Sequence, residues 1–268
     1  MIFATQDKDF FPADLAEKLI AVRDFGFDKY EATGSVFLNH YDELIRATEK
    51  SGVAISTVCS GDGGFIGDFD EEKRLIGISN ITAILEKGTR LNISGIILPA
   101  AWGMCTLRLP PHTAPRSTED DRITLHKSLS FLDKVAHNTG TWIYFEPLNR
   151  YEDHMVNTQQ TAKDLITEGG YSRVKTTADL YHMNIEEKNV VESFKMYAKQ
   201  IGHVHICDSN RSEPGEGHID FIGVFSALKQ VGYEGILAFE GRVTGVPEAE
   251  SYKNSLVYIK DCWDKSCG

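Results

Sequence analysis

The sequence predicts an α/β protein, a (β/α)8 TIM barrel formed as one domain over residues 1–268. Short β-rich runs alternate with amphipathic helical stretches from end to end, which argues for parallel strand pairing. Eight such units fit in the 268 residues, the usual size of a barrel of this kind. The final four strands also end on chemically similar side chains, each about one unit from the last.

The first strand, MIFATQ, precedes PADLAEKLIAVRDFG, where Pro12 suits a first helical turn and Gly26 a C-terminal stop. KYEATG is the second strand, with YDELIRATEKSG as its helix. VAISTVCSG is the third, followed by the long DEEKRLIGISNITAILEKG. SGIILPAAW is the fourth and leads to TEDDRITLHKSLSFLDKVAHNTG. TWIYFEPL, VKTTADLY, GHVHICDS and GILAFEGR complete the set, each followed by a helical segment. The connection WGMCTLRLPPHTAPRST, residues 102–118, exceeds the usual loop length and leaves the C-terminal end of the fourth strand, which marks it as a lid candidate.

A doubly wound open sheet shares the local pattern. Its phosphate-binding turn would have to be GDGGFIG at 61–67, which lacks G-x-G-x-x-G spacing and follows the third strand instead of opening a first βαβ unit. It reads as a glycine loop at the barrel rim.

A net charge of −11 without a basic stripe excludes the electrostatic footprint of a nucleic-acid binder. With 41% hydrophobic and 25% charged residues, no apolar run approaches the roughly 18 to 20 residues of a membrane span. The start, MIFATQDKDFF, lacks a basic segment followed by an apolar one, so a cytoplasmic protein is expected. Cys59, Cys105, Cys207, Cys262 and Cys267 are odd in number, with no C-x-x-C pair, and read as free thiols in a reducing compartment.

The last four strands finish in Glu146, Asp179, His205 and Glu240, separated by 33, 26 and 35 residues. In a barrel this places all four at the mouth where such folds carry active sites. Three carboxylates meeting without a cation would repel one another and force at least one pKa up. A divalent metal resolves the conflict, and three oxygen donors with one imidazole suit Mn²⁺, Mg²⁺ or Co²⁺ better than a thiolate-lined zinc site would. Cys207 shares the strand parity of His205 but is a softer donor further along, and reads as a wall residue.

Glu146 and Glu240 come from strands three apart in the ring, so they face a bound substrate from opposite sides. A carboxylate on each face beside a Lewis acid suits removal of a proton α to a carbonyl and its return from the other side through an enediolate. Glu152, His182 and Arg211 follow the ligands at short spacing and are candidates for holding substrate hydroxyls. Their blander roles are a hydrogen bond within the loop for His182 and a surface ion pair for Arg211 or Glu152. Trp102, just past the fourth strand, either stacks on a sugar's apolar face or packs under the lid.

EPLNRYEDHMVNT, ADLYHMNIEE, HVHICDSNRSEPGEGHIDF and FEGR resemble the xylose isomerase-like TIM-barrel superfamily of sugar isomerases and epimerases, and within it the ketose 3-epimerases. The resemblance spans essentially the whole chain. It implies that Glu146, Asp179, His205 and Glu240 bind a divalent metal, often Mn²⁺. It also implies that Glu146 and Glu240 are the catalytic acid/base pair and that Glu152, His182 and Arg211 contact substrate.

GDFDEEKRL, PAAWGM and RLPPHTAPRS are similar to a bacterial subgroup that epimerises 3-keto-hexosides, interconverting 3-keto-gulosides and 3-keto-glucosides at C4. A ketone at C3 acidifies the protons at both C2 and C4. Free-ketose epimerases carry a different N-terminal half, which argues against a small ketose such as fructose or tagatose.

The expected function is therefore metal-dependent epimerisation next to a ketone, at C4 of a 3-keto-hexoside or C3 of a ketose. The partner is a small keto-sugar or keto-glycoside, with no nucleic acid and no membrane; a dimer or tetramer of the chain is also allowed. An aldose-ketose isomerase or a keto-inositol dehydratase would share the proton abstraction, and a non-catalytic sugar-binding barrel is the alternative of another class. Phosphodiester hydrolysis would need further His and acid ligands on the early strands and a basic face. The first two strands offer only Glu31 as an obvious ligand.

Overall fold

A computed structural model describes residues 1–61, 63–107 and 113–268. Eight strands, β1 (Ile2–Thr5), β2 (Lys29–Thr33), β3 (Ala54–Cys59), β4 (Gly95–Pro99), β5 (Trp142–Glu146), β6 (Val174–Asp179), β7 (Ile201–Ile206) and β8 (Ile236–Phe239), follow chain order in a closed parallel barrel. The helices between and after them are α1 (Leu15–Phe25), α2 (Gly34–Asn39), α3 (Tyr41–Ser51), α4 (Glu71–Leu91), α5 (Thr118–Thr139), α6 (Gln159–Gly169), α7 (Leu180–Glu186), α8 (Val190–Tyr197), α9 (Phe221–Gln230) and α10 (Glu248–Lys265). The eight-unit expectation holds, with two helices in place of one after both β2 and β6. Among the described residues no helix is long and apolar enough to cross a membrane.

Capping residues set the helix limits. Asp14 caps α1 by accepting the Glu17 N–H, and Gly26 ends it at φ 98°, a conformation glycine adopts without a Cβ clash. Pro12 thus lies before the cap and not in the first helical turn, because the Asp14 carboxylate starts the helix later than the proline signal suggests. Asp70, Ser117 and Thr158 cap α4, α5 and α6 in the same way.

The chain forms two compact units. One comprises Met1–Glu31, Asp42–Ala54 and Ala178–Gly268. In it β8 pairs with β1 from Ile2↔Ile236 to Thr5↔Phe239, and with β7 from Val204↔Leu237 to Ile206↔Phe239. The tips of β1, β7 and β8 are therefore level. Beyond them Gln6 N–H donates to the Phe239 carbonyl at 3.2 Å and Glu240 N–H to the Ile206 carbonyl at 3.0 Å, extending both ladders by a residue.

The other unit comprises Ala32–Tyr41 and Ile55–Thr177. Its β4 is buried throughout and pairs with β5 from Gly95↔Trp142 to Pro99↔Glu146. A side chain at Gly95 would press on the Tyr144 ring, at 2.8 Å from a built Cβ, so this close strand approach requires glycine. Described parts of the glycine loop pack against α4: a Cβ on Gly64 would fall on the Lys73 carbonyl, and one on Gly77 on the Gly64 carbonyl. Those glycines serve close packing. Asp62 in that loop, and residues 108–112 of both the lid candidate and RLPPHTAPRS, lie outside the described residues.

Candidate active site

Asp179 is the last residue of β6 and at the same time the N-cap of α7: its Oδ1 accepts the His182 N–H at 3.0 Å. Capping fixes the carboxylate's orientation, so Oδ2 is the oxygen left for other partners. His205 is the penultimate residue of β7, and Glu240 is the first after β8. His205 Nδ1 lies 2.6 Å from Glu240 Oε2 and 3.6 Å from Asp179 Oδ2. Arg211 binds the same two oxygens, with Nη1 2.6 Å from Asp179 Oδ2 and Nη2 3.0 Å from Glu240 Oε2.

Arg211 reaches them from a loop built around two buried acids. The Asp208 carboxylate accepts the N–H groups of Ser209, Gly215 and Ile219. Glu213 accepts those of Thr244 and Gly245, together with the hydroxyls of Thr244 and Ser251. Within this frame Arg211 N–H donates to the Asp208 carbonyl at 3.0 Å, and the residue takes φ 65°. A side chain in that left-handed region costs about 1 to 3 kcal/mol, which the surrounding loop must over-determine.

Burial alone would push Asp179 up; the Arg211 guanidinium, then the His182 and His205 rings, outweigh it and hold Asp179 well below the usual carboxylate range. Glu240 is lowered on the same balance, burial opposed by Arg211 and His205. Burial would lower Arg211, and its two carboxylates instead hold it well above its ordinary value. Cys207 is fully buried, and burial pushes its thiol up, which fits the wall role expected of it. All five cysteines are free thiols.

Behind His205 lies Glu31 of β2. Its Oε1 is 3.0 Å from His205 Nε2 and accepts the Gln6 amide at 2.9 Å, while Oε2 is 2.9 Å from His203 Nε2. Burial would raise Glu31, and the facing His205 and His203 rings overcome that and hold it well below its usual value. Lys8, half-buried after β1 with Nζ 5.5 Å over the Tyr252 ring, is lowered to about 8 by burial, against the pull of the Glu240 charge.

Five of the sequence candidates, Asp179, His182, His205, Arg211 and Glu240, thus lie in one unit. In the other, Glu146 closes β5 and is buried. Glu152 and Trp102 meet there: the indole N–H donates to Glu152 Oε2 at 3.0 Å, and Asn149 Nδ2 to Oε1 at 2.8 Å. The Trp102 side chain stays 60% exposed, so it is not packed under other residues described here. Gln6, Lys8, His203 and Asp208 were not candidates by sequence; the alternation of His203 with His205 in HVH, which puts both on one strand face, was the available signal.

Two carboxylates and an imidazole converge here without a thiolate among them, a hard oxygen and nitrogen set that fits a divalent cation. Parallel strands ending in such donors define a class, and the chain belongs to the Xylose isomerase-like TIM barrel family, which it matches over residues 19–262. It is 42% identical to the 3-dehydro-D-guloside 4-epimerase of Escherichia coli (strain K12), over 98% of this chain and 100% of that protein. The crystal structure of a 3-keto-D-glucoside 4-epimerase from E. coli superposes with a TM-score of 0.95 at 42% identity, covering 98% of this chain and all of the other. The L-ribulose 3-epimerase of Mesorhizobium japonicum is 30% identical over 94% of this chain and 83% of its own length.

Proposed function

We propose that this protein is a metal-dependent carbohydrate epimerase that inverts C4 of a 3-keto-hexoside by proton abstraction next to the ketone. The observation that carries the reading is the full-length 42% identity to a 3-dehydro-D-guloside 4-epimerase, combined with the convergent donors. Glu146 is proposed as the fourth ligand. Supporting it, Glu146 closes β5 as Asp179 closes β6, and Asp179, His205 and Glu240 each offer a donor atom within 4.8 Å of the others. Mn²⁺ is the cation proposed, with Mg²⁺ and Co²⁺ compatible with the same donors.

Bound there, a divalent cation supplies Lewis-acid stabilisation of negative charge on the ketone oxygen and the neighbouring hydroxyl. Two of this chain's carboxylates handle the protons, one accepting and the other, already protonated, donating. One of Glu146 and Glu240 removes the hydrogen at C4, and the other returns a proton to the opposite face. Arg211 and His182 orient substrate hydroxyls beside Asp179, and Glu152 does so with Trp102 flanking the sugar. One (β/α)8 domain over residues 1–268 and a cytoplasmic setting complete the proposal, the latter supported by five free thiols.

Incubation with a 3-keto-glucoside in D₂O with Mn²⁺ tests it. Deuterium at C4 with the 3-keto-guloside as product is the expected result. An unsaturated product would indicate a dehydratase and an aldose an isomerase; binding without exchange would leave only a sugar-binding barrel.

A further inference from the structure

We propose that Glu31 is a positioning residue that fixes the tautomer of His205 and so presents Nδ1 as its ligand atom. The inference rests on the reading of His205 as a metal ligand.

A neutral imidazole carries one N–H and one lone pair, and the partner of one nitrogen decides the state of the other. Glu31 is wholly buried, with a carboxylate that only accepts, and its Oε1 lies 3.0 Å from His205 Nε2. Nδ1 faces the oxygens of Glu240, at 2.6 Å, and Asp179, at 3.6 Å. Carboxylates thus face both ring nitrogens, and a cation held on the Nδ1 side would take that lone pair and leave the one proton on Nε2, against Glu31. Glu31 is itself held from two further sides, by the Gln6 amide at 2.9 Å and by His203 Nε2 at 2.9 Å. The ring planes of His203 and His205 stand at 89° with centroids 4.9 Å apart, so the two imidazoles reach the carboxylate from different directions.

Glu31, His203 and His205 also qualify by residue type as ligands of a second cation. Two features argue against that. A cation there would need His205 to bridge two metals as an imidazolate, and the Gln6 N–H pointing at Oε1 would compete with it for the same oxygen. The 3.0 Å between His205 Nε2 and Glu31 Oε1 is an ordinary length for an N–H···O bond to a carboxylate. Glu31 thus plays the part of the carboxylate that commonly orients a metal-bound histidine from behind, a contact whose loss weakens metal affinity by about 10- to 100-fold.

The test measures Mn²⁺ binding to the wild type and to Glu31→Gln by the EPR signal of free Mn²⁺, and ¹⁵N chemical shifts of labelled histidines in the Mg²⁺-loaded wild type. One Mn²⁺ per chain, an affinity about 10- to 100-fold weaker in the variant with unchanged circular dichroism, and a His205 protonated on Nε2 are expected. Equal affinities, or a proton on Nδ1 in the loaded wild type, would overturn the inference; so would two Mn²⁺ per wild-type chain falling to one in the variant, since Glu31 would then be a ligand. The wild-type ¹⁵N result decides even if the variant fails to fold. A wild type that binds no Mn²⁺ would instead sink the metal centre itself, and the role of Glu31 with it.

Discussion

The indole N–H of Trp102 donates to Oε2 of Glu152 at 3.0 Å while the Trp side chain remains 60% exposed. An exposed ring tethered at its polar edge keeps its face free and its orientation fixed, which suits stacking on the apolar face of a sugar. Trp102→Phe keeps a ring but loses the tether, and Trp102→Ala loses both. Steady-state kinetics should show KM rising several-fold in the first and by about 10-fold or more in the second, with kcat changed less. Melting temperatures should stay close to wild type, because an exposed side chain contributes within about 0.5 kcal/mol. An unchanged KM in Trp102→Ala would remove the ring from the substrate site.

Asp179 serves two purposes with two oxygens, and Asp179→Asn separates them. Asparagine caps helices about as well as aspartate, so the His182 N–H keeps an acceptor and α7 its start. The negative charge facing Arg211 and His205 is lost. Mn²⁺ affinity should fall by at least 100-fold and activity with it, while far-ultraviolet circular dichroism is retained. Retained metal binding would show that Asp179 acts only as a cap.

Much of this arrangement was legible in the chain because strand-end chemistry repeats with the βα unit. Glu146, Asp179, His205 and Glu240 stand out from spacing alone, although the structure offsets them: two end their strands, His205 stops one residue short, and Glu240 follows β8. Ladder bonds such as Glu240 N–H to the Ile206 carbonyl absorb that offset. Glu31 was visible only as an isolated acid. Its partner Gln6 is brought to it by the pairing of β1 with β2, Thr5 opposite Tyr30, and His203 by side-chain direction on β7, which no local pattern encodes. Lys8 and Asp208 were hidden for a related reason: a polar residue in a loop looks the same whether it is solvated or organises its surroundings.

Arg211 supplies the next test. Its guanidinium holds Asp179 and Glu240 low, so the stability these acids contribute is present above their unfolded values and is lost only as pH falls through the depressed folded ones. Arg211→Ala leaves the buried Asp179 and half-buried Glu240 carboxylates facing His205 without their main counter-charge. The metal-free variant should be destabilised at pH 7 by about 3 to 5 kcal/mol, the usual cost of removing one partner of a buried pair. It should recover part of this on acidification, when the wild type only loses stability. Urea midpoints between pH 4 and 8 measure this, and parallel curves for the two proteins would contradict it.

Asp153 gives the opposite sign of pH dependence. It is 1% exposed, and burial raises its pKa from 3.8 to about 6, against the backbone N–H donors of Val156, Met155 and His154. Its neighbours form a chain: His154 Nδ1 lies 3.6 Å from Asp153 Oδ1, His154 Nε2 is 3.0 Å from Asp121 Oδ2, and Arg116 Nε donates to Asp121 Oδ1 at 2.8 Å. Arg116 also binds the Gly67 and Asp68 carbonyls, so this chain ties the segment leading into α5 to the loop after β3, as His154 ties α5 to the loop after β5. An acid whose folded pKa is raised contributes stability that is complete below the unfolded value and disappears as pH climbs through about 6. The rise from 3.8 to about 6 corresponds to roughly 3 kcal/mol. Asp153→Asn keeps an oxygen for the Val156 N–H at 3.2 Å and removes the titration. The variant should match the wild type near pH 4 and exceed it in urea midpoint at pH 8. A wild type that is the more stable of the two at pH 8 would show that the backbone N–H donors around ionised Asp153 stabilise it by more than its burial costs.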